Sequence, residues 1–274
     1  MLAVEHPRAT VILTRPQGKN QALQLCLQQA GLDVIILPAL ILQPEPVADP
    51  VPDPAAFDLI FFVSGFAVDC FFDLLRERDM SWPKYRYAGC VGPGTRQALE
   101  RRGVAPEQIL SPAGHLPYDS SGFLASLQTS GMLTVFKSVL LVCGTTGNPW
   151  LAQQLRDLSV TVTRFALYAR HATQWDERQR QQMRSLLADP SQKKYVVLTS
   201  PQGIDAFVGN LATAKIHPDS IAASTTFIVT HVGQLAHLKH IWQHKLSLSN
   251  ADALRVQQAL PRDDAIFHAV TISD

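Results

Sequence analysis

VVLTSPQGIDAF, residues 196–207, is the stretch of this chain that decides the fold. Its apolar start, residues 196–198, is typical of a buried strand, and residues 199–203 have the composition of a turn and a helix cap. Ile204 and Phe207 follow at helical spacing. The pattern therefore predicts a strand, a sharp turn and the N-terminus of a helix.

The same pattern occurs earlier in the chain, in the sequence LIFFVSGFAVDCF at residues 59–71. Ser64 aligns with Ser200, and Phe71 aligns with Phe207. A strand that enters a helix through such a turn leaves backbone N–H groups unpaired at the helix start, and these groups favour an anion. For one copy alone an ordinary helix cap is the better explanation. Two matched copies indicate a duplicated architecture, and they make an anion site and a simple cap equally good explanations.

A further pair of segments extends the duplication over most of the chain. Val11 matches Val139, and Val34 matches Val162, each pair at the same point of a strand–helix–strand pattern. Strands and helices alternate in both halves, so we predict an α/β fold with two doubly wound parallel-sheet domains. The proline-rich stretch at residues 38–54 favours an extended connection over a packed helix.

The composition supports two globular domains and excludes several classes of protein. The chain has 274 residues, of which 46% are hydrophobic and 17% charged, and its net charge is +1. It has no dense basic stretch for nucleic acid, no apolar run long enough to span a membrane, and no secretion signal at its start, so we expect a cytoplasmic protein. Its four cysteines form no C-x-x-C pair and are interpreted as small reduced core residues, since no local signature marks a catalytic one; they are Cys26, Cys70, Cys90 and Cys143.

Several local predictions concern the second half of each repeat and the end of the chain. The sequence GPGT at residues 92–95 predicts a turn that lets a ligand approach the backbone, with Thr95 as the helix cap. The counterpart of VGPGT at residues 91–95 is VGQLA at residues 232–236, which has no capping threonine. We further expect a helix around residues 251–260 and a strand around residues 265–272.

A group of histidines lies on one predicted helix near the C-terminus. His237, His240 and His244 follow at i, i+3 and i+7, with His231 nearby. A metal or haem site would use such residues, but no Cys, Asp or Glu completes the set within that helix. We therefore interpret the histidines as part of a solvent-exposed helix face.

The ordered motifs from about residue 10 to 210 resemble the uroporphyrinogen-III synthase family. The matching pieces are LTRP at 13–16, FVS at 62–64, VGPGT at 91–95, DSSGFL at 119–124, residues 140–147, YAR at 168–170 and LTSP at 198–201. The match decays after about residue 210, and Val63 stands where the family often has threonine. The C-terminal contribution to a site is therefore the part that this resemblance supports least.

The resemblance implies a monomer of two α/β domains with an active cleft between them. Residues 1–37 and 173–274 would form a discontinuous first domain, and residues 45–164 would form the second. The extended linkers would be residues 38–44 and 165–172. Neither a cofactor nor a metal ion is implied.

The resemblance also implies a reaction and a set of residues. The substrate would be the linear tetrapyrrole hydroxymethylbilane, which a lyase of this family closes to uroporphyrinogen III with loss of water and inversion of the last ring. Tyr168, which matches the family's tyrosine, would assist loss of the hydroxyl group. The substrate carboxylates would contact helix N-termini and turn residues; these are Arg15, Ser64, Gly65, Gly92, Thr95, Gly144, Ser200, Pro201, Gln202 and Gly233.

Two interpretations compete with a synthase. A non-catalytic two-domain protein that binds a tetrapyrrole or a small anion would share the same helix N-termini. In such a protein, or in a synthase, Arg15 could equally form a structural ion pair without contacting a ligand. The second interpretation is a nucleotide-dependent enzyme. A nucleotide-dependent transferase should carry a phosphate-loop or dinucleotide fingerprint, and the sequence has neither.

Overall fold

The computed structural model describes residues 9–47, 50–189, 191–245 and 254–272, without the side chains of residues 218, 219, 223 and 245. The strands are β1 (Thr10–Leu13), β2 (Asp33–Ile36), β3 (Leu40–Pro44), β4 (Leu59–Phe62), β5 (Tyr87–Cys90), β6 (Ile109–Leu110), β7 (Ser138–Gly144), β8 (Thr161–Ala172), β9 (Lys194–Leu198), β10 (Thr225–Val229) and β11 (Arg255–Gln258). The α-helices are α1 (Gln21–Gln29), α2 (Gly65–Glu77), α3 (Pro93–Arg101), α4 (Ser120–Thr129), α5 (Trp150–Asp157), α6 (Glu177–Ala188), α7 (Pro201–Thr213), α8 (Pro218–Ser224), α9 (Val232–Lys245) and α10 (Asp263–Thr271). None of these helices is long and apolar enough to cross a membrane.

The chain divides into two compact units. Unit 1 comprises Met1–Ile41 and His171–Asp274, and unit 2 comprises Leu42–Arg170. Within the described residues, the sheet of unit 1 has the strand order β11-β10-β9-β1-β2, and each neighbouring pair is parallel. The first two strands of the chain therefore complete a sheet whose other strands come from the C-terminal half.

The sheet of unit 2 repeats this arrangement. Its order is β3-β8-β7-β4-β5-β6, and the pairs from β8 to β6 are parallel. Strands β7, β8, β4, β5 and β6 take the places that β1, β2, β9, β10 and β11 take in unit 1. The predicted α/β fold with parallel sheets is confirmed, and the duplication seen in the sequence extends to the strand order.

Strand β4 shows why the sheet of unit 2 needs helices on both faces. Its side chains alternate: Ile60 and Phe62 pack in the apolar cluster that includes α2 and α3, whereas Leu59 and Phe61 pack in the cluster that includes α4 and α5. All four side chains are buried. A strand buried on both faces reads as one continuous apolar run, and each buried side chain of this size contributes about 1.5–3 kcal/mol.

The two segments predicted as extended linkers largely belong to strands. Segment 38–44 contains β3, and segment 165–172 is the end of β8; the two strands are neighbours in the sheet of unit 2. The backbone N–H of Glu45 donates to the carbonyl of Leu167 at 2.9 Å. The chain passes from unit 1 to unit 2 after Ile41 and returns after Arg170.

Both predictions for the C-terminal segment are wrong. Residues 251–253 lie outside the described residues, and residues 255–258 form β11 where we expected a helix. The segment predicted as a late strand is helix α10 instead. Ile266, Ala269 and Val270 are buried against α1 in one apolar cluster, and their spacing of three and four residues is that of a helix face.

Gly122, the third residue of α4, lies too close to a neighbouring backbone to carry a side chain. A Cβ atom built on it would lie 2.0 Å from the carbonyl oxygen of Pro117. We expect Gly122→Ala to lower the free energy of unfolding of unit 2 by about 1–3 kcal/mol, because the backbone must move to relieve the overlap. Urea unfolding measures this change.

Gly114 supplies the matched control for this substitution. A Cβ atom on Gly114 would have no neighbour within 4 Å, and its backbone is not left-handed. Gly114→Ala should therefore change the free energy of unfolding by less than about 0.5 kcal/mol. Equal effects of the two substitutions would contradict this account of the Gly122 position.

Candidate active site

Four of the residues singled out in the sequence lie at one edge of unit 2. Parallel strands end at the same edge of a sheet, and open α/β sheets bind ligands there. Ser64 follows the carboxyl end of β4, Gly92 follows β5, and Gly144 ends β7. Tyr168 on β8 pairs with Gly144. We call this set the carboxyl edge of unit 2.

Ser64 begins helix α2. Its backbone is extended, and its Oγ accepts a hydrogen bond from the N–H of Ala67 at 3.1 Å, as an N-cap does. The next residue, Gly65, lies close to α3, since a Cβ atom on it would be 3.5 Å from the Cβ of Ala98 and 3.7 Å from the carbonyl oxygen of Gly94. The starts of α2 and α3 are therefore adjacent.

A bulge in β8 sets the direction of the Tyr168 side chain. Cys143 pairs with Ala166, but the next residue, Gly144, pairs with Tyr168, so β8 has one extra residue at this point. Regular alternation would put Tyr168 on the face of Ala166, which is exposed. The bulge instead places Tyr168 in the same buried cluster as Leu167.

Three contacts fix the tyrosine. Its Oη lies 3.2 Å from Ser64 Oγ, and its ring meets the Phe66 ring edge-on, with centroids 5.1 Å apart. Gly144 gives the ring its room, because a Cβ atom there would lie 3.0 Å from a ring carbon of Tyr168. The structure thus brings together the predicted catalytic residue and two predicted binding residues, and it adds Phe66, which the sequence did not single out.

The prediction that Thr95 caps helix α3 is wrong. The N-cap is Gly92, which has no side chain to accept a hydrogen bond, and Pro93 is the first helical residue. Thr95 is the third helical residue; it is buried, and its backbone N–H donates to the carbonyl of Gly92 at 3.1 Å. Helix α3 therefore starts without a side-chain cap, which leaves its N-terminus suited to an anion.

Unit 1 has a corresponding carboxyl edge. Ser200 caps α7 through its Oγ, which accepts from the N–H of Gly203 at 3.1 Å, and Pro201 is the first helical residue. Pro201 and Gln202 are exposed. Among the described residues, the hydroxyl of Ser200 has no hydrogen bond to a phenol.

The glycine turn of unit 1 differs from its prediction by one residue. Two residues lie between β10 and α9, and two residues also lie between β5 and α3. His231 therefore corresponds to Gly92, and Gly233 corresponds to Gly94. The capping threonine is absent, but two other side chains accept backbone hydrogen bonds at this turn. His231 Nδ1 accepts from the N–H of Gly233 at 3.0 Å, and Oε1 of Gln234 accepts from the N–H of Thr230 at 2.8 Å.

Arg15, at the end of β1, forms an ion pair within unit 1. Its Nη1 lies 2.7 Å from Oδ1 of Asp263 in the first turn of α10, and its side chain is 16% exposed. Nε and Nη2 are buried, and among the described residues they have no hydrogen-bond partner. The structural ion pair, one of the two explanations that the sequence allowed for Arg15, is present. A contact between Arg15 and the substrate stays a prediction.

The histidines of α9 do not converge on one point. His237 Nε2 lies 3.0 Å from Oδ1 of Asp205 on α7, whereas His240 and His244 are exposed, with ring centroids 4.3 Å apart. In the part of the chain that the structure describes, no group of three His, Cys, Asp or Glu side chains could hold a metal ion. Trp242 and Leu238 form the buried face of this helix.

The cysteines differ in burial, contrary to the prediction that all are core residues. Cys26 is exposed, Cys70 is half-buried, and Cys90 and Cys143 are buried. Burial raises the pKa of the Cys90 thiol to about 11. Burial, together with the nearby carboxylates of Asp69 and Asp73, raises the pKa of Cys70 to about 11 as well. These two thiols are therefore poor nucleophiles at neutral pH.

The comparisons with known proteins give a family and a similar fold. The family model described as Uroporphyrinogen-III synthase HemD matches residues 21–237. A solved structure of uroporphyrinogen-III synthetase from Helicobacter pylori is similar at 15% identity with a TM-score of 0.57, over 96% of this chain and 98% of that one. A mutant uroporphyrinogen III synthase from Thermus thermophilus is similar at 11% identity with a TM-score of 0.49, over 96% and 97% of the two chains. No curated protein matches the sequence.

Two neighbouring aspartates of α10 allow the Arg15 ion pair to be tested. Asp263 and Asp264 both lie in the first turn, but Asp264 pairs with Arg262, and both of those side chains are mostly exposed. We expect Asp263→Ala to lower the free energy of unfolding by about 1–2 kcal/mol, because it leaves the largely buried Arg15 without a partner. Asp264→Ala should cost less than about 0.5 kcal/mol. Equal losses in urea unfolding would exclude a structural role of the Arg15 pair.

Thiol reactivity tests the environments of the cysteines. In the native protein at pH 8, one thiol should react rapidly with dithiobis(nitrobenzoate), because only Cys26 is exposed among the four. Cys26→Ala should remove this rapid phase, and urea should release the other three thiols. A second rapid phase in the native Cys26→Ala variant would contradict the burial of the other three thiols.

Proposed function

The chain belongs to the uroporphyrinogen-III synthase family, and we propose that it is the lyase that closes hydroxymethylbilane to uroporphyrinogen III. The observation that carries the proposal is the Tyr168 phenol, held by Ser64 at a carboxyl edge where helix α3 starts without a side-chain cap. The edge combines one proton donor with donors for anions. This is the chemistry that a polycarboxylate substrate with a hydroxyl leaving group requires.

The first step of the proposed reaction is loss of the hydroxyl group. Tyr168 donates its proton to the leaving oxygen, the carbon–oxygen bond breaks, and water departs. The electrophilic azafulvene that remains is attacked by the substituted carbon of the terminal pyrrole. The spiro intermediate fragments and closes again with that ring inverted, and the proton lost as the ring regains aromaticity returns to the phenolate. The net change is loss of one water, so the proposal needs no redox cofactor.

Backbone donors account for binding of the substrate carboxylates in this proposal. At the carboxyl edge of unit 2, the first turns of α2 and α3 present N–H groups beside Gly65 and Gly92. We assign Ser200, Gln202 and Gly233 of unit 1 to the same role, because they lie at the starts of α7 and α9. Such contacts use the positive end of the helix dipole and depend little on the identity of side chains.

The burial of the Tyr168 ring fits a role in proton transfer through its hydroxyl group rather than packing of the ring against the substrate. The ring is buried between Phe66 and the backbone of Gly144, while Ser64, which its hydroxyl contacts, is half-buried. A tyrosine held this way loses little entropy when it meets the substrate. We also propose that the protein works as a cytoplasmic monomer, with residues 38–44 and 165–172 connecting the two domains of the family.

Conversion of freshly prepared hydroxymethylbilane tests the proposal. The wild-type protein should give uroporphyrinogen III, measured by chromatographic separation of the isomers after oxidation. Tyr168→Phe should lower kcat by roughly 10²-fold, because the proton donor is gone while the ring and its packing remain. A non-catalytic tetrapyrrole- or anion-binding protein would instead leave only the spontaneous isomer, whose last ring is not inverted.

Tyr85 provides the control for this substitution. It lies in unit 2, and its side chain is exposed. Tyr85→Phe should keep the wild-type rate and isomer ratio. An unchanged rate and ratio for Tyr168→Phe as well would remove Tyr168 from the mechanism.

A further inference from the structure

We infer that Ser64 is a positioning residue, whose hydroxyl donates to the phenol oxygen of Tyr168 and so leaves the proton of Tyr168 free for the substrate. The inference rests on the proposed function for the role of that proton. The direction of the Ser64–Tyr168 hydrogen bond, however, is a property of the protein alone. Both parts are testable separately.

The hydrogen-bond inventory of Ser64 sets this direction. Its Oγ accepts from the N–H of Ala67 at 3.1 Å, and a backbone N–H can only donate, so this contact uses a lone pair. The other partner is Tyr168 Oη at 3.2 Å. If Tyr168 donated, Ser64 would accept twice, and its own proton would have no acceptor among the described residues. If Ser64 donates, a lone pair of its hydroxyl accepts from Ala67 and its proton is donated to Tyr168.

The donating arrangement is also the cooperative one. A chain then runs from the N–H of Ala67 through the hydroxyl of Ser64 to Tyr168 Oη, with each group donating to the next. Hydrogen bonds in such a chain polarise one another, so each strengthens the following donor. The last donor in the chain is the O–H of Tyr168, directed at whatever acceptor the substrate brings.

The same arrangement stabilises the phenolate that proton donation leaves behind. A hydrogen bond to an anionic oxygen is roughly twice as strong as one to a neutral oxygen. Ser64 would therefore hold Tyr168 more strongly after it has lost its proton than before. The N-terminus of α2, to which Ser64 belongs, adds a positive dipole end beside the same oxygen.

The second copy of the motif separates capping from positioning. Ser200 caps α7 with the same geometry, 3.1 Å from its Oγ to the N–H of Gly203, and among the described residues its hydroxyl has no hydrogen bond to a phenol. A serine at this point is thus sufficient to start the helix without any phenol. The contact with Tyr168 is an addition to the cap in unit 2.

Three variants test the role of Ser64. Ser64→Ala removes both the cap and the bond to Tyr168, and Ser64→Thr keeps a hydroxyl. Asp119→Ala is the control for capping alone, because Asp119 caps α4 in the same unit by accepting from two backbone N–H groups. Loss of either cap should cost on the order of 1 kcal/mol of stability.

The activity of these variants should differ. We expect Ser64→Ala to lower kcat by roughly tenfold with KM within about twofold of wild type, since one hydrogen bond to a charged group is lost in the transition state. The share of the spontaneous isomer should rise with it. Ser64→Thr should recover most of kcat, and Asp119→Ala should keep the wild-type kcat. Equal kcat values for Ser64→Ala and Asp119→Ala would overturn the inference.

Ultraviolet resonance Raman spectroscopy gives a readout that does not depend on turnover. The intensity ratio of the tyrosine doublet reports whether a phenol oxygen accepts or donates, and subtraction of the Tyr168→Phe spectrum isolates this residue. We expect the pattern of an accepting phenol, lost in Ser64→Ala and kept in Asp119→Ala. A donating phenol would overturn the inference even in an active enzyme. A wild-type protein that fails to convert hydroxymethylbilane would refute the proposed function, while the spectrum would still decide the direction of the bond.

Discussion

The bulge in β8 opposite Gly144 is the constraint on which the carboxyl edge of unit 2 depends. One extra residue between Ala166 and Tyr168 turns the tyrosine from the exposed face to the buried one, within reach of Ser64. The bulge leaves little room for a side chain at position 144, where a Cβ atom would also lie 3.2 Å from the carbonyl oxygen of Tyr168. Glycine at the end of β7 and tyrosine on β8 therefore belong to one structural feature, although they are far apart in the sequence.

The duplication gives each unit the same strand order but not the same edge. Both units start a helix with a capping serine after the central strand, Ser64 in unit 2 and Ser200 in unit 1. Within the part of the chain that the structure describes, only unit 2 combines that cap with a phenol. Its α3 begins at Gly92 without a side-chain cap, whereas His231 accepts from the first turn of α9. In terms of the proposed reaction, unit 2 carries the chemistry and unit 1 contributes binding.

The sequence predicted those parts of the structure that are encoded locally. Strand-to-helix turns with capping serines need only a few neighbouring residues, so both were found, and the repeat gave the parallel sheets. The bulge and the Arg15–Asp263 pair join residues distant in sequence, and no local pattern signals them. The turn of unit 1 was misaligned because glycine was matched to glycine. The distance from strand to helix, which the backbone fixes, would have matched His231 to Gly92.

A site built mainly from backbone N–H groups would tolerate wide divergence in sequence. The Helicobacter pylori structure shares the fold at only 15% identity. Contacts made by backbone N–H groups at helix starts survive almost any substitution that preserves the helix. Selection on such a site acts on glycine positions, on caps and on the few side chains that move a proton. If Tyr168 is the proton donor, then Ser64 and Gly144 are constrained through it, because a change at either would displace the phenol and leave the fold intact.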